Sequence, residues 1–264
     1  MKQRIYLFLN SITFVFALVM NYLSGTGRIN GKTVGEVSAN YENLFTPAGY
    51  AFTIWGLIYL LLIAFVAYQW YAYFKLKQDD VLNQAGLWFA LSNVANGAWI
   101  YAWMHLQLEF SILIMFVLLF SLIVLTLRLR LEIWDAPVRI IFFVWWPICI
   151  YLGWIVVATV ANFSAWLVSV GWRGGFLSET YWALLMIGVA TAIYVFLIYS
   201  RNMREAAMVG VWALIAIAVK QWEMNSLVVY GAVIGACILF LYSTWHGFKN
   251  SQTSPINKLR RNEF

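Results

Sequence analysis

The sequence predicts an all-α integral membrane protein that crosses the membrane several times. Apolar residues make up 63% of the 264 positions and charged residues only 11%, whereas a soluble domain carries about 25% charged residues. Long apolar runs also recur along the whole chain. Because about 20 apolar residues in a helix cross about 30 Å of hydrocarbon, each run of that length predicts a transmembrane helix.

The candidate spans follow one another from the first residues almost to the end of the chain. They begin in a run after Lys2 and Arg4, which we interpret as a retained helix because no small-residue cleavage site follows it. The run at 206–219 is short for a span, while the others are close to the required length or exceed it. The runs cover residues 5–24, 48–74, 84–104, 110–127, 138–168, 181–199, 206–219 and 227–245.

The basic residues favour eight spans over seven. With eight spans, 13 of the 17 Lys and Arg residues lie on one side of the membrane, and with seven spans the division is 10 to 7. Because cytoplasmic loops are enriched in Lys and Arg, we predict eight spans in a bacterial inner membrane, with both termini cytoplasmic. Dispersal of the basic residues over short loops speaks against a nucleic-acid partner. The four basic residues on the opposite side are Arg28, Lys32, Arg173 and Lys220, while Lys77 belongs to the larger set.

Two polar segments depart from the pattern of short loops. Residues 25–46 form a connection of about 22 residues, a length typical of a lid or of a disordered loop. Thr46 and Pro47 follow as a predicted N-cap and first-turn proline of the second span. The tail at 249–264 is basic and polar, and we expect it to be disordered and solvated.

The sequence contains few residues suited to catalysis or metal binding. Its two histidines, His105 and His246, lie near the ends of spans, and Cys149 and Cys237 lie inside spans far apart in sequence. No zinc-protease, thiol-pair, nucleophile-elbow or phosphate-loop motif occurs. We therefore predict no catalytic residues and no metal site.

Polar and aromatic residues share helix faces in the second, third and fifth spans. Trp55 and Tyr59 are four residues apart, and Asn96, Trp99 and Trp103 follow one another at steps of three and four. Spacings of three and four place residues on one helix face. If these faces converge, they enclose an aromatic cavity for a flat apolar ligand; the alternative is simple packing, with asparagines bonded between helices. In the fifth span the face comprises Tyr151, Trp154, Ala158 and Asn162.

Four short segments resemble, in order along the chain, motifs of the TspO/MBR family of tryptophan-rich sensory proteins and translocator proteins. The sequence YLGWIVVATVAN at 151–162 resembles the fifth-helix signature of that family. YENL at 41–44, with Pro47, resembles its first-loop motif. Trp55 with Tyr59 matches its W-x-x-x-Y, and Asn96 with Trp99 matches its N-x-x-W.

The resemblance implies a five-helix bundle around a pocket for porphyrins, haem-like tetrapyrroles, sterols or related lipids. It places Trp55 and Trp154 at two pocket tryptophans and Asn96 and Asn162 at intramembrane asparagines. Departures occur at 46–50, where a Pro/Trp-rich run is shortened, and at Tyr101, where the family has proline. The implied ligand-binding residues are Trp55, Tyr59, Asn96, Trp99, Tyr151, Trp154 and Asn162, and the implied lid residues are Tyr41, Asn43, Leu44 and Pro47.

The resemblance divides the chain into three parts. Residues 1–172 form a TspO-like domain, 173–248 three further helices without a counterpart in a five-helix bundle, and 249–264 a cytoplasmic tail. The further helices are expected to pack against the bundle or to take the place of a dimer partner. A homodimer is the alternative. We expect a sensor, carrier or regulator whose partners are membrane lipids and a hydrophobic ligand. The alternatives are a transporter or channel and, third, a porphyrin-degrading enzyme.

Overall fold

The computed structural model describes residues 1–76, 80–172 and 174–263, and it confirms the all-α class. Lys77 and Arg173, which belong to the 17 basic residues used for the topology prediction, lie outside the described residues. A 3-10 turn at Gly49–Thr53 leads into α3, a π-helical turn at Ile141–Trp145 leads into α7, and a 3-10 turn at Ser251–Thr253 precedes α11. The helices are α1 Lys2–Gly25, α2 Val34–Ala39, α3 Ile54–Lys75, α4 Val81–Met104, α5 Leu108–Arg128, α6 Val138–Ile140, α7 Trp146–Ser169, α8 Glu179–Arg201, α9 Arg204–Gln221, α10 Ser226–Lys249 and α11 Pro255–Arg260.

Six helical segments are long and apolar enough to cross a membrane, which supports a multi-pass membrane protein. The two other long helices are α4 and α9, with 24 and 18 residues. Helix α4 carries buried polar groups such as Ser92 and Asn93, and α9 carries charged residues at both ends. Both helices are largely buried among their neighbours, so their polar groups face protein. The eight-span topology stays a prediction.

The long helices run back and forth, which gives the bundle two ends. At the end that we call the tail end, the Arg128 guanidinium donates to the carbonyls of Asn83 and Gln84, at 2.8 Å each. There the Asn202 amide also donates to the carbonyl of Glu132 at 2.6 Å. These bonds tie together the connections α3–α4, α5–α6 and α8–α9.

The opposite end, which we call the lid end, carries the connection between α1 and α3. Trp103 Nε1 donates to the carbonyl of Val34 at 3.2 Å, which fixes α2 against α4. Lys220 at the end of α9 pairs with Glu42 at 2.5 Å. The loop is therefore held by helices from both halves of the sequence.

The predicted start of the second span is wrong. Thr46 does not cap a helix, because its Oγ1 accepts from the Asn43 amide at 3.1 Å within a local turn. The Ala48 amide donates across the bundle to the Ala216 carbonyl at 3.0 Å. This tertiary bond holds the chain extended after Pro47, so α3 begins only at Ile54, after the 3-10 turn.

The first loop is partly helical, which local capping explains. Thr33 Oγ1 accepts from the Glu36 amide at 3.3 Å, and the Glu36 carboxylate accepts from the Thr33 amide at 2.7 Å. This reciprocal arrangement is a capping box, which satisfies two amides at the start of a helix. Val37 on the inner face of α2 is fully buried, so α2 is a packed element of the lid end.

The tail is ordered, in contrast to the predicted solvated and disordered segment. Helix α11 brings Lys258 to within 2.5 Å of Asp135, and the Lys258 side chain is only 2% exposed. The Val138 amide donates to the carbonyl of Glu263 at 3.1 Å. A buried ammonium requires a paired carboxylate, and this pairing holds the tail against the α5–α6 connection.

Candidate ligand cavity

The predicted aromatic faces of α3 and α7 converge. The ring of Trp55 stacks on that of Tyr59 with centroids 5.3 Å apart, and its edge contacts Tyr151 at 6.0 Å and Trp154 at 6.3 Å. The i, i+4 spacing of Trp55 and Tyr59 produces the stack, because such residues lie one above the other on a helix. The aromatic cluster thus joins two helices that are distant in sequence.

Asn162 forms a polar link between α4, α5 and α7. Its Oδ1 accepts from Trp99 Nε1 at 2.8 Å, and its Nδ2 donates to Ser111 Oγ at 2.9 Å. The asparagine is 98% buried, so these bonds replace the water that its amide loses. Trp99 also stacks on Trp103 at 5.6 Å, which fixes the indole position.

Asn96 occupies a second polar position, closer to α1. Its Oδ1 accepts from Asn21 Nδ2 at 2.6 Å and from the Tyr59 hydroxyl at 3.4 Å. Its Nδ2 is buried and has no hydrogen-bond partner in the part of the chain that the structure describes. Only the acceptor of the Asn96 side chain is therefore hydrogen-bonded, whereas both the acceptor and the donor of Asn162 are.

A small cavity of about 30 Å³ lies between the aromatic cluster and the lid end. The side chains of Trp55, Trp99, Trp154 and Asn162 line it, so four predicted site residues meet there. This volume holds about one water molecule. The walls toward the lid end are Val34, Ser38, Pro47 and Phe52, and Trp103, Val157, Ala158, Ala161 and Ala213 complete the lining.

A larger cavity of about 420 Å³ adjoins the small one between α1 and α3. Val34, Phe52 and Trp55 belong to both linings, and Tyr59 lines the larger space. The Phe52 ring packs 6.0 Å from Trp154, edge to face, and stands next to Gly35 of α2. Phe52 is thus the partition between the two cavities.

Two indole N–H groups of the aromatic cluster are unsatisfied. The Nε1 atoms of Trp55 and Trp154 are buried and lack an acceptor among the described residues. A buried donor without a partner costs about 1–3 kcal/mol, and native proteins contain few of them. Both tryptophans line the small cavity, so an acceptor entering it is a direct way to recover this energy.

The predicted lid residues do not act as one group. Pro47 lines the small cavity, while Asn43 and Leu44 line a separate cavity of about 300 Å³ next to Trp172 and Trp182. Tyr41 is partly buried against the core of the lid end. The Phe45 amide donates to Asn43 Oδ1 at 2.9 Å, which folds this segment into a turn away from the aromatic cluster.

Several residues of the site were not predicted from the sequence. Trp103 is not one of them, because it follows Trp99 at helical spacing on the predicted polar-aromatic face. Phe52, Asn21 and Ala213 carry no local signal, because only tertiary packing brings them to the cavities. The same holds for Ser111, which the packing brings to Asn162. Ala213 comes from α9, so one helix beyond the first five spans contributes a wall of the small cavity.

Tyr151 and Asn96 complete the predicted set as supporting residues. Tyr151 is 99% buried behind Trp55, and Asn96 lies beneath Tyr59. Neither lines the small cavity. Tyr151 and Asn96 instead fix the positions of the Trp55 and Tyr59 rings, which do face the cavities.

Comparison with known proteins gives one family. Residues 7–245 match the family described as TSPO-like protein. The matched range reaches through α8 and α9 into α10, so the similarity is not confined to the first five helices. Neither a curated protein nor a solved structure shows a significant match. The match covers most of the chain and confirms the resemblance drawn from the four motifs: this membrane protein belongs to the TSPO-like family.

Proposed function

We propose that this protein binds a flat, hydrophobic ligand with acceptor groups, of the tetrapyrrole or sterol-like kind, and acts as a sensor, carrier or regulator. The ligand would occupy the small cavity together with the adjoining space between α1 and α3. The observation that carries the proposal is the pair of unsatisfied indole N–H groups of Trp55 and Trp154. Carboxylate or carbonyl groups on such a ligand would accept from them.

The size of the cavities supports a movement that opens the site for the ligand. Small-molecule pockets have volumes of about 300–1,000 Å³, which the 30 Å³ cavity does not reach and the adjoining 420 Å³ cavity does. Rotation of the Phe52 ring would join the two spaces. Aromatic walls then provide stacking surface for the ligand.

A titration with protoporphyrin tests the proposal through the ligand-induced rise in melting temperature of the full-length protein in detergent. Trp55→Phe and Trp154→Phe keep an aromatic ring but remove the N–H group. Each lost hydrogen bond to a charged acceptor is worth about 1.5–3 kcal/mol, so we expect about tenfold or greater weakening. Trp222→Phe, at an exposed position outside the cavities, is the matched control.

Unchanged affinity in both cavity variants would refute the proposal, because binding would then occur elsewhere or by partition into detergent. Equal weakening in Trp222→Phe would point to a nonspecific effect and count against it as well. Sterols measured in the same assay determine which chemical class binds more tightly.

A second test addresses the partition. Phe52→Ala should join the two cavities, so protoporphyrin should associate faster than with the unchanged protein in stopped-flow fluorescence. Phe248→Ala, at an exposed site on α10, controls for loss of a phenyl ring. Slower or unchanged association would show that Phe52 is not the barrier to entry.

A further inference from the structure

A third cavity, of about 240 Å³, lies at the tail end and is independent of the aromatic site. It is enclosed by the α5–α6 connection, the π-helical turn, the start of α9 and the tail helix α11. Five charged side chains line it, whereas the linings of the two cavities near the aromatic cluster contain none. Its lining includes Glu132, Trp145, Arg204, Glu205 and Lys258.

Only some of the charges in this cavity are paired. Lys258 is neutralised by Asp135 and Glu263, at 2.5 and 3.4 Å. Glu132 and Glu205 form no ion pair with any residue in the described ranges. The Glu132 side chain is 91% buried, and its Oε1 and the Oε2 of Glu205 have no hydrogen-bond partner there.

Two donors at the same cavity are also unsatisfied. Trp145 Nε1 and Arg204 Nε are buried and lack acceptors within the described part of the chain. The cavity therefore presents acceptors at the two glutamates and donors at Arg204 and Trp145. Leaving charged groups buried and unpaired is costly, and a ligand that carries both an ammonium and an anion would satisfy both sets.

An apolar groove of about 500 Å³ continues from this cavity along the outside of α7, between α3 and α9. Glu205 lines both spaces, so they adjoin at its side chain. Beyond Glu205 the groove is lined by Leu57, Ile150, Met208 and Trp212. It follows α9 from Glu205 to Trp212, about 10 Å at 1.5 Å per residue.

We propose that this cavity and groove form a site for a phospholipid with a primary ammonium headgroup, of the phosphatidylethanolamine type. The ammonium donates to the unpartnered oxygens of Glu132 and Glu205, and the phosphate accepts from Arg204 and Trp145. An acyl chain lies in the groove against Met208 and Ile150. The cavity volume equals about eight water molecules, which suits a small zwitterionic headgroup.

The donors and acceptors of the cavity favour one lipid headgroup over others. A primary ammonium carries three donors for the carboxylates, whereas a choline headgroup has a cation without N–H groups. A glycerol headgroup lacks the cation and leaves the two glutamates unpaired. The groove favours a lipid over a soluble ammonium phosphate, since each methylene of a buried acyl chain adds hydrophobic stabilisation.

Native mass spectrometry of the full-length protein in detergent tests the site. Phosphatidylethanolamine, phosphatidylcholine and phosphatidylglycerol with identical chains are added at equal concentrations. We expect the ethanolamine lipid to be retained about tenfold more than the others, because hydrogen bonds to charged groups account for that factor. Soluble O-phosphoethanolamine should not displace it at hundredfold excess.

Variants locate the binding. Glu132→Gln and Glu205→Gln should each abolish the preference, while Glu109→Gln, an exposed carboxylate at the start of α5, should keep it. Met208→Trp fills the groove without touching a charge and should reduce retention about tenfold even where a glutamine variant fails to fold. Equal retention of the three lipids, an unchanged preference in both glutamine variants, or displacement by O-phosphoethanolamine would overturn the proposal.

Discussion

At the scale of single residues, the two intramembrane asparagines have different roles. Asn162 uses both its acceptor and its donor to join Trp99 and Ser111. Asn96 uses only its acceptor, toward Asn21 and Tyr59, and its donor remains available. The sequence spacing alone allowed cavity lining or helix bonding for both. The structure favours helix bonding for Asn162, whereas Asn96 lines neither cavity and acts on the ligand site through its bond to Tyr59.

The first residue-scale prediction compares these asparagines. Asn162→Leu removes two interhelical hydrogen bonds and leaves the Trp99 indole buried without an acceptor, so we expect the free energy of unfolding to fall by about 1–3 kcal/mol. Asn96→Leu should cost less in the ligand-free protein and should mainly reduce the protoporphyrin-induced rise in melting temperature. Thermal unfolding in detergent, with and without protoporphyrin, measures both. A larger ligand-free loss for Asn96→Leu would reverse these roles.

Glu132 leads to a prediction about pH. Burial, then the neighbouring charge of Glu205, holds the pKa of the Glu132 carboxyl well above its usual range, against a smaller opposing effect of Arg204. The folded protein then binds this proton more tightly than the unfolded chain. Stability from this group is present below the unfolded pKa of about 4.3 and is lost as pH rises through the folded value.

Replacing Glu132 with Gln should remove that pH dependence. In lipid-free detergent, Glu132→Gln should raise the melting temperature relative to the unchanged protein at pH 7.5, and the difference should shrink toward pH 4.5. Glu109→Gln, at an exposed position, controls for the loss of one carboxylate. A difference that grows toward acid pH would show that the folded protein stabilises the charged form of Glu132.

At the scale of helices, close contacts at glycine determine how α7 and α9 pack. A Cβ added to Gly153 would lie 2.9 Å from both the Cα and the carbonyl oxygen of Ala206, which are backbone atoms. The Tyr194 hydroxyl donates to the Gly153 carbonyl at 2.6 Å and holds α8 at the same place. Helices α7, α8 and α9 therefore meet at one small residue.

Three alanine variants test this contact. Gly153→Ala should lower the free energy of unfolding by about 1–3 kcal/mol, because backbone must shift to admit the methyl group. Gly97→Ala meets the half-exposed Phe16 ring, which can rotate, so a smaller loss is expected. Gly188→Ala has nothing within 4 Å and should gain up to about 1 kcal/mol of helix propensity. Thermal unfolding measures the order of stability of the three variants. An equal effect of all three would refute the close contact at Gly153.

Helices were largely predictable from the sequence, whereas their irregular ends were not. The apolar run at 110–127 corresponds to α5 at Leu108–Arg128, because apolar length determines where a span can lie. The late start of α3 depends on the Ala48 bond to Ala216, about 170 residues away, and no local pattern contains that information. The tail helix is fixed in the same way by the pairing of Lys258 with Asp135.

At the scale of the whole molecule, the site depends on both parts of the chain. Helical spacing predicted the faces of Trp55, Trp99 and Trp154, because each lies on a regular helix. The wall from Ala213 was not predictable, since alanine has no distinguishing chemistry and α9 reaches the cavity only through its packing on α7. Helix α9 is thus part of the architecture around the cavity.

The last prediction concerns orientation in the membrane. Arg130 and Arg201 lie near connections at the tail end, and Arg28 and Lys220 lie at the lid end, as the eight-span division of 13 to 4 requires. Because Lys and Arg are enriched in cytoplasmic loops, the tail end should face the cytoplasm. Fusion reporters after Arg130, Arg201 and the C-terminus should all report cytoplasm, and reporters at Arg28 and after Lys220 should report the opposite side. A C-terminal reporter on the same side as Arg28 would leave seven spans and place α9 outside the set of crossing helices.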